Sequence, residues 1–111
     1  MLPPEYRIRK KKEFEEVFQR GRSVKGSFYF IKVKRNSFFF PRFAFVVPAK
    51  FEKKASKRNR IKRVFREAVR SLLPLIKEGS DMIFVIRGQE NIKLTRVKEE
   101  IKELLEKQKL I

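Results

Sequence analysis

The stretch from Ala55 to Arg70 reads Ala-Ser-Lys-Arg-Asn-Arg-Ile-Lys-Arg-Val-Phe-Arg-Glu-Ala-Val-Arg, and the chemistry those residues can do is anion binding. Wound at about 100° per residue, Ile61, Val64, Phe65, Ala68, Val69 and Leu72 gather on one arc, with Asn59, Arg60, Lys62, Arg63, Arg66 and Arg70 opposite. The spacing therefore predicts a helix with an apolar and a cationic face. Ser56 is placed to cap its start and Pro74 bounds its end. Lys57, Arg58 and Arg60 crowd the first turn or so, where the helix dipole is already positive, a placement that disfavours the isolated helix. The same placement aims free amides and side-chain cations at one point, which suits phosphate. The preceding loop adds Lys50, Lys53 and Lys54. A charge run is usually only a solvated face. Like charges this concentrated, nearly unpaired and set against the dipole favour contact with nucleic acid.

Hydrolytic chemistry within the chain is a poor fit. There is no histidine and no cysteine, which removes the commonest acid–base and nucleophile pairs. Asp81 is the sole aspartate, and the glutamates near the C-terminus are interleaved with lysines, so no carboxylate cluster suited to a two-metal site is visible. A phosphodiester cut in the company of this chain must be cut by a partner. The absence of cysteine also excludes a disulfide framework and zinc fingers.

The elements that must position these cations belong to a chain of 111 residues with 41% hydrophobic content, which fits one domain over residues 1–111, with residues 1–6 a loose lead-in. A formal charge of +17 implies a polyanionic partner, and nucleic acid fits best. Residues 1–35 hold eleven cations against four carboxylates, residues 50–70 ten against two, and residues 71–111 eight against seven. The excess thus sits in two segments, which form two basic patches or one shared patch. No apolar run approaches a bilayer span and the start is not a signal peptide, so a soluble cytoplasmic protein is expected, with no membrane contact and no protein partner implied.

In chain order, Arg7, Arg9, Lys10, Lys11 and Lys12 make a basic arm. Phe14, Val17 and Phe18 are spaced as on a short helix, which Gly21 would close in a left-handed conformation. Residues 27–35, 38–40 and 43–47 read as three short strands in an antiparallel meander. In a regular strand Phe28 and Phe30 share the face opposite Tyr29, and the run Phe38 to Phe40 leaves at least one ring exposed or covered from outside the sheet. After the cationic helix come a strongly apolar strand, Met82 to Ile86, and a final helix from Leu94 or Thr95 to Gln108 with Leu94, Val97, Ile101, Leu104 and Leu105 on one face. The order α-β-β-β-α-β-α is an α+β sandwich with a four-stranded mixed sheet. From spacing alone, Phe14 and Phe18 read more readily as core residues than as stacking platforms for bases, and Phe30 is equally well explained as core.

Lys57-Arg58-Asn59-Arg60-Ile61-Lys62-Arg63 followed by Arg66-Glu67 resembles the signature of the bacterial ribonuclease P protein subunit. Phe14-x-x-Val17-Phe18-x-x-Gly21-x-Ser23 resembles that family's first helix and its exit, and the likeness spans about residues 7–105. The resemblance implies a small protein that joins a catalytic RNA, working with magnesium ions, to remove the 5′ leader of precursor tRNA. It implies that the Arg-Asn-Arg helix faces the RNA and that a cleft between the first helix and the sheet, with Phe14, Phe18 and Phe30, holds the leader. It also implies a left-handed strand–helix–strand crossover, where general topology favours the right-handed one. The chain departs from the family in Lys50-Phe51-Glu52-Lys53-Lys54-Ala55, which lacks a common glycine, and in Lys32, where some relatives carry tyrosine. The competing reading is a structural RNA-binding protein such as a ribosomal component. A DNA reader is disfavoured because the basic helix has no evident helix-turn-helix partner.

Overall fold

The computed structural model describes residues 2–76, 79–87 and 93–111. Three helices, α1 (Lys11–Arg20), α2 (Ala55–Leu72) and α3 (Leu94–Lys107), accompany four strands, β1 (Arg22–Lys25), β2 (Tyr29–Arg35), β3 (Arg42–Val46) and β4 (Ser80–Ile86). The strands form one sheet in the order β1-β2-β4-β3. β2 pairs antiparallel with β1 and β4, whereas β3 runs parallel to β4. The α+β class and the mixed sheet are as expected; the meander is not. None of the helices of the described residues is long and apolar enough to cross a membrane.

Two strand expectations are corrected. Residues 38–40 are a bend, not a strand, because Pro41 lacks a donor and Asn36 closes a turn by accepting the Phe38 N–H at 2.9 Å. The strand that takes its place, β1, carries one buried side chain, Val24, among charged neighbours, the weak pattern of a protected edge. Phe28 precedes β2 and packs with Tyr29, at 5.4 Å between ring centroids, and not with Phe30.

Both faces of the sheet are used. Ile31, Val33, Phe43, Met82, Phe84 and Ile86 meet the apolar arc of α2 and Val97, Ile101 and Leu105 of α3. Phe65 of α2 is fully buried against Phe28, Tyr29 and Phe84, with centroids 5.8, 5.1 and 5.9 Å away. On the other face, Val17 of α1 covers Ile83 and Val85. β4 lies between two strands and two helical layers, so every one of its positions is buried.

The helix ends differ from expectation in instructive ways. Lys54, not Ser56, stands at the start of α2, and no side chain caps it. Gly21 has φ −70° and ψ 151°, so α1 passes straight into β1 without a left-handed residue. Glycine is required there for space, since a Cβ would lie 2.5 Å from the Val17 carbonyl oxygen and 3.1 Å from that of Val33. The lead-in is docked instead of loose: residues Pro4–Tyr6 form a 3-10 turn and Leu2 is 1% exposed.

Candidate nucleic-acid interface

The cationic helix keeps the two faces its spacing predicts. Ile61, Phe65, Ala68, Val69 and Leu72 are buried and Val64 is packed against them, while Asn59, Arg60, Arg63 and Arg70 are exposed and Lys62 and Arg66 half-exposed. Among the described residues, Arg60, Lys62, Arg63 and Arg66 enter no ion pair; Arg70 reaches Glu67 at 3.8 Å. Four cations on one exposed face of an 18-residue helix form a rigid positive strip.

Arg58 does something the sequence did not suggest. Its guanidinium turns back and donates to the carbonyls of Glu52 and Lys53 at 3.0 and 2.8 Å. Lys57 lies 3.9 Å from the Glu52 carboxylate. The first-turn charges that oppose the dipole are thereby partly offset, and Arg58 braces the loop that carries Lys50, Lys53 and Lys54, all three exposed. The Lys50 ammonium sits 5.0 Å from the Phe51 ring. This loop leaves β3 after Val46, whose side chain belongs to the α1 face, and enters α2 on the opposite face. Its lysines therefore stand at the corner between the two faces.

The α1 face is only partly covered, because its one helix packs mainly on the two central strands, β2 and β4. Val17 is buried, but Phe14, Phe30, Ala44 and Val46 are only partly so, and Phe18 is 39% exposed. Phe14 and Phe18 stack on each other with centroids 6.1 Å apart, and the Lys32 ammonium lies 5.9 Å from the Phe18 ring. The result is a partly exposed apolar strip with a lysine beside it, the kind of surface on which unpaired bases can stack. It brings Phe14, Phe18 and Phe30 together. Phe30 also lines a cavity of about 220 Å³ with Ser23, Lys25 and Arg87, where β1 pairs with the start of β2.

The orientation of α1 rests on a network that sequence reasoning missed. Arg42 donates from Nε and a terminal nitrogen to both oxygens of Asp81, at 2.9 and 2.7 Å, and from its other terminal nitrogen to Glu13 of α1 at 3.0 Å. Asn36 donates to Asp81 at 2.8 Å. Those bonds to Asp81 raise the Arg42 pKa further, fixing its charge. A charged residue between aromatics, Phe40-Pro41-Arg42-Phe43, was the available signal. Asp81 is thus committed to holding β3, β4 and α1 in register, and among the described residues there is no group of three carboxylates that could hold a metal ion.

The arm divides. Arg7 donates twice to the Leu2 carbonyl, at 3.0 and 2.7 Å, and serves the fold, while Arg9, Lys10 and Lys11 are exposed, Lys11 at 4.0 Å from Glu15.

Comparison with known proteins identifies the family. The family model for ribonuclease P matches residues 2–109. The ribonuclease P protein component of Rippkaea orientalis is 32% identical over 116 residues, covering 99% of this chain and 91% of its own length. That of Borrelia duttonii is 36% identical over 100 residues, with 88% and 87% covered. The structure of the ribonuclease P protein from Thermotoga maritima superposes with a TM-score of 0.80 at 28% identity, covering 91% of this chain and 96% of the other. By matched length, by sequence identity and by fold, the chain belongs to the ribonuclease P protein component family.

Proposed function

We propose that the chain works in the cytoplasm as the protein subunit of ribonuclease P, binding the catalytic RNA and the 5′ leader of precursor tRNA and assisting endonucleolytic removal of that leader. The observation that carries this reading is the pairing of a rigid cationic helix face with a separate aromatic strip across the sheet. Arg60, Lys62, Arg63, Arg66 and Arg70, with Asn59, would bind phosphates of the RNA subunit, and each phosphate neutralised releases counterions. Lys50, Lys53 and Lys54 at the corner would carry the strand from one surface to the other, with Arg58 holding their loop in place. Phe14, Phe18 and Phe30 would stack leader bases.

The protein's contribution is then positional. Holding leader and RNA subunit together presents the scissile bond in a productive geometry, and cations in a crowded polyanionic complex lower the repulsion that magnesium ions must otherwise overcome. Phosphodiester chemistry is assigned to the RNA subunit with its magnesium ions. The test is reconstitution: the protein alone should cleave no precursor, and added to its RNA subunit at low magnesium it should restore leader removal. Absence of stimulation there overturns the reading. Replacing Arg60 and Arg63 together with Ala should weaken RNA binding and lessen its dependence on salt by a slope of about one to two.

A further inference from the structure

The Phe38-Phe39-Phe40 bend and the basic arm are both left over once the helix and the strip have been assigned. Phe39 is 98% exposed, the most open large apolar side chain among the described residues. Its surroundings are firmly tied. Asn36 donates to the Phe40 carbonyl at 3.3 Å as well as accepting the Phe38 N–H, and the Asn36 N–H reaches the Gly79 carbonyl at 3.0 Å. The Phe38 and Phe40 rings lie 5.3 Å apart, Phe40 meets Tyr6 edge-on at 5.7 Å, and the Arg42 guanidinium sits 4.5 Å over Phe38. Gly79 is glycine because a Cβ there would collide with the Phe38 carbonyl and the Asn36 side chain. The bend therefore holds Phe39 outward on a braced base.

Cations flank it. The Tyr6–Phe40 contact and the Ile8 N–H bond to the Phe43 carbonyl, at 2.9 Å, lay the arm alongside the bend. Arg9, Lys10 and Lys12 follow directly, exposed and without an ion pair among the described residues. An outward ring and unpaired cations on adjoining segments are the two parts that bind unpaired nucleotides, one stacking and the other neutralising phosphate.

This surface lies apart from the aromatic strip. Lys34 and Arg42 both face Asp81 in the strand register and hold Glu16 and Glu13 of α1, at 3.6 and 3.0 Å. Phe30 and Val46 both face Val85, toward the other end of the sheet. α1 thus lies between the two ends, its carboxylates directed to one and its rings to the other. The leader proposed for the strip does not account for Phe39. We propose that Phe39, with Arg9, Lys10 and Lys12, stacks on an unpaired base of the RNA subunit, a contact separate from the α2 face and from the leader.

This inference rests on the reading that the chain binds that RNA. The chain has no tryptophan, so Phe39→Trp installs a unique reporter at the ring itself. Its emission should be quenched by the RNA subunit alone, without precursor tRNA. Phe39→Ala should bind the RNA subunit roughly tenfold more weakly with an unchanged melting temperature. Replacing Arg9, Lys10 and Lys12 together with Ala should reduce the slope of log affinity against log salt by about two. Unmoved emission with unchanged affinity of Phe39→Ala overturns the inference. An effect confined to precursors with long leaders assigns the ring to the leader and also overturns it, as does self-association without RNA that Phe39→Ala abolishes. If the unaltered chain binds no RNA subunit at all, the reading of function falls; if only the Phe39 effect is missing, this inference falls alone.

Discussion

The two faces of the sheet carry different kinds of apolar surface. The face under α2 and α3 is closed: Phe65, Phe84 and Ile101 are fully buried, and the rings meet edge to face or at offset angles, as in a well-filled interior. The face under α1 is left half open, with Phe18 exposed, Phe14 and Phe30 partly so, and Lys32 among them. Both are built from phenylalanine and both come from regularly spaced apolar positions. What separates them is coverage: two helices on one face, one on the other. Closed aromatic surface stabilises the fold, and open aromatic surface with a lysine beside it is available to bases.

The sharpest way to break that contrast is to truncate on each side. Phe65→Ala should destabilise the protein by about 4 kcal/mol, read as a lowered urea midpoint, with RNA binding lost only as the protein unfolds. Asp81→Ala strands the Arg42 guanidinium and should cost about 3 kcal/mol; because Arg42 also anchors Glu13, it should loosen α1 and weaken leader discrimination under conditions where the sheet remains folded. Phe18→Ala should change stability by less than about 1 kcal/mol while reducing the preference for precursor over mature tRNA roughly tenfold. A lower melting temperature with unchanged preference would make the α1 face ordinary core. The smallest effect belongs to Glu100, which accepts bonds from the Ser27 N–H and hydroxyl at 3.1 and 3.0 Å. Burial pushes its pKa up, but the neighbouring Tyr29 hydroxyl, the Ser27 bonds and the Arg96 charge outweigh it and hold it below the ordinary value. The Tyr29 hydroxyl makes no hydrogen bond of good geometry, and burial first, then the neighbouring Glu100 carboxylate, pushes its own pKa up. A lowered carboxylate pKa contributes stability above the unfolded value of about 4.3 and loses it as pH falls through the folded one. Glu100→Gln should therefore be destabilising by about half a kcal/mol at neutral pH and converge with the unaltered protein at acid pH, measured by urea titration at both.

The cationic helix was legible because one period, 3.6 residues, fixed both its core arc and its charged face, and burial of Ile61, Phe65, Ala68, Val69 and Leu72 follows that arc. β4 was legible from continuous apolar character. β1 was not, since Arg22-Ser23-Val24-Lys25 has a single apolar residue and becomes a strand only because β2 offers it an edge. The bend at 38–40 misled for the opposite reason: strand-like composition was overridden by the Asn36 turn and Pro41. In the candidate site, residue types identified Arg58 as a cation but could not show that it bonds to the carbonyls of Glu52 and Lys53. The Arg42–Asp81–Glu13 tie joins residues distant in sequence, and only the parallel pairing of β3 with β4 makes it visible.

That β4 is paired on both edges and buried at every position has a consequence for measurement. Its amides cannot reach solvent through local fraying, so their hydrogen exchange should proceed only through global unfolding. Any ligand that binds the folded chain alone must slow exchange at Met82 to Val85 by its full binding free energy. Amides of α1, beside the open strip, can also exchange by local opening. Exchange at the central strand would thus report how tightly RNA is held, and exchange at the first helix where it is held.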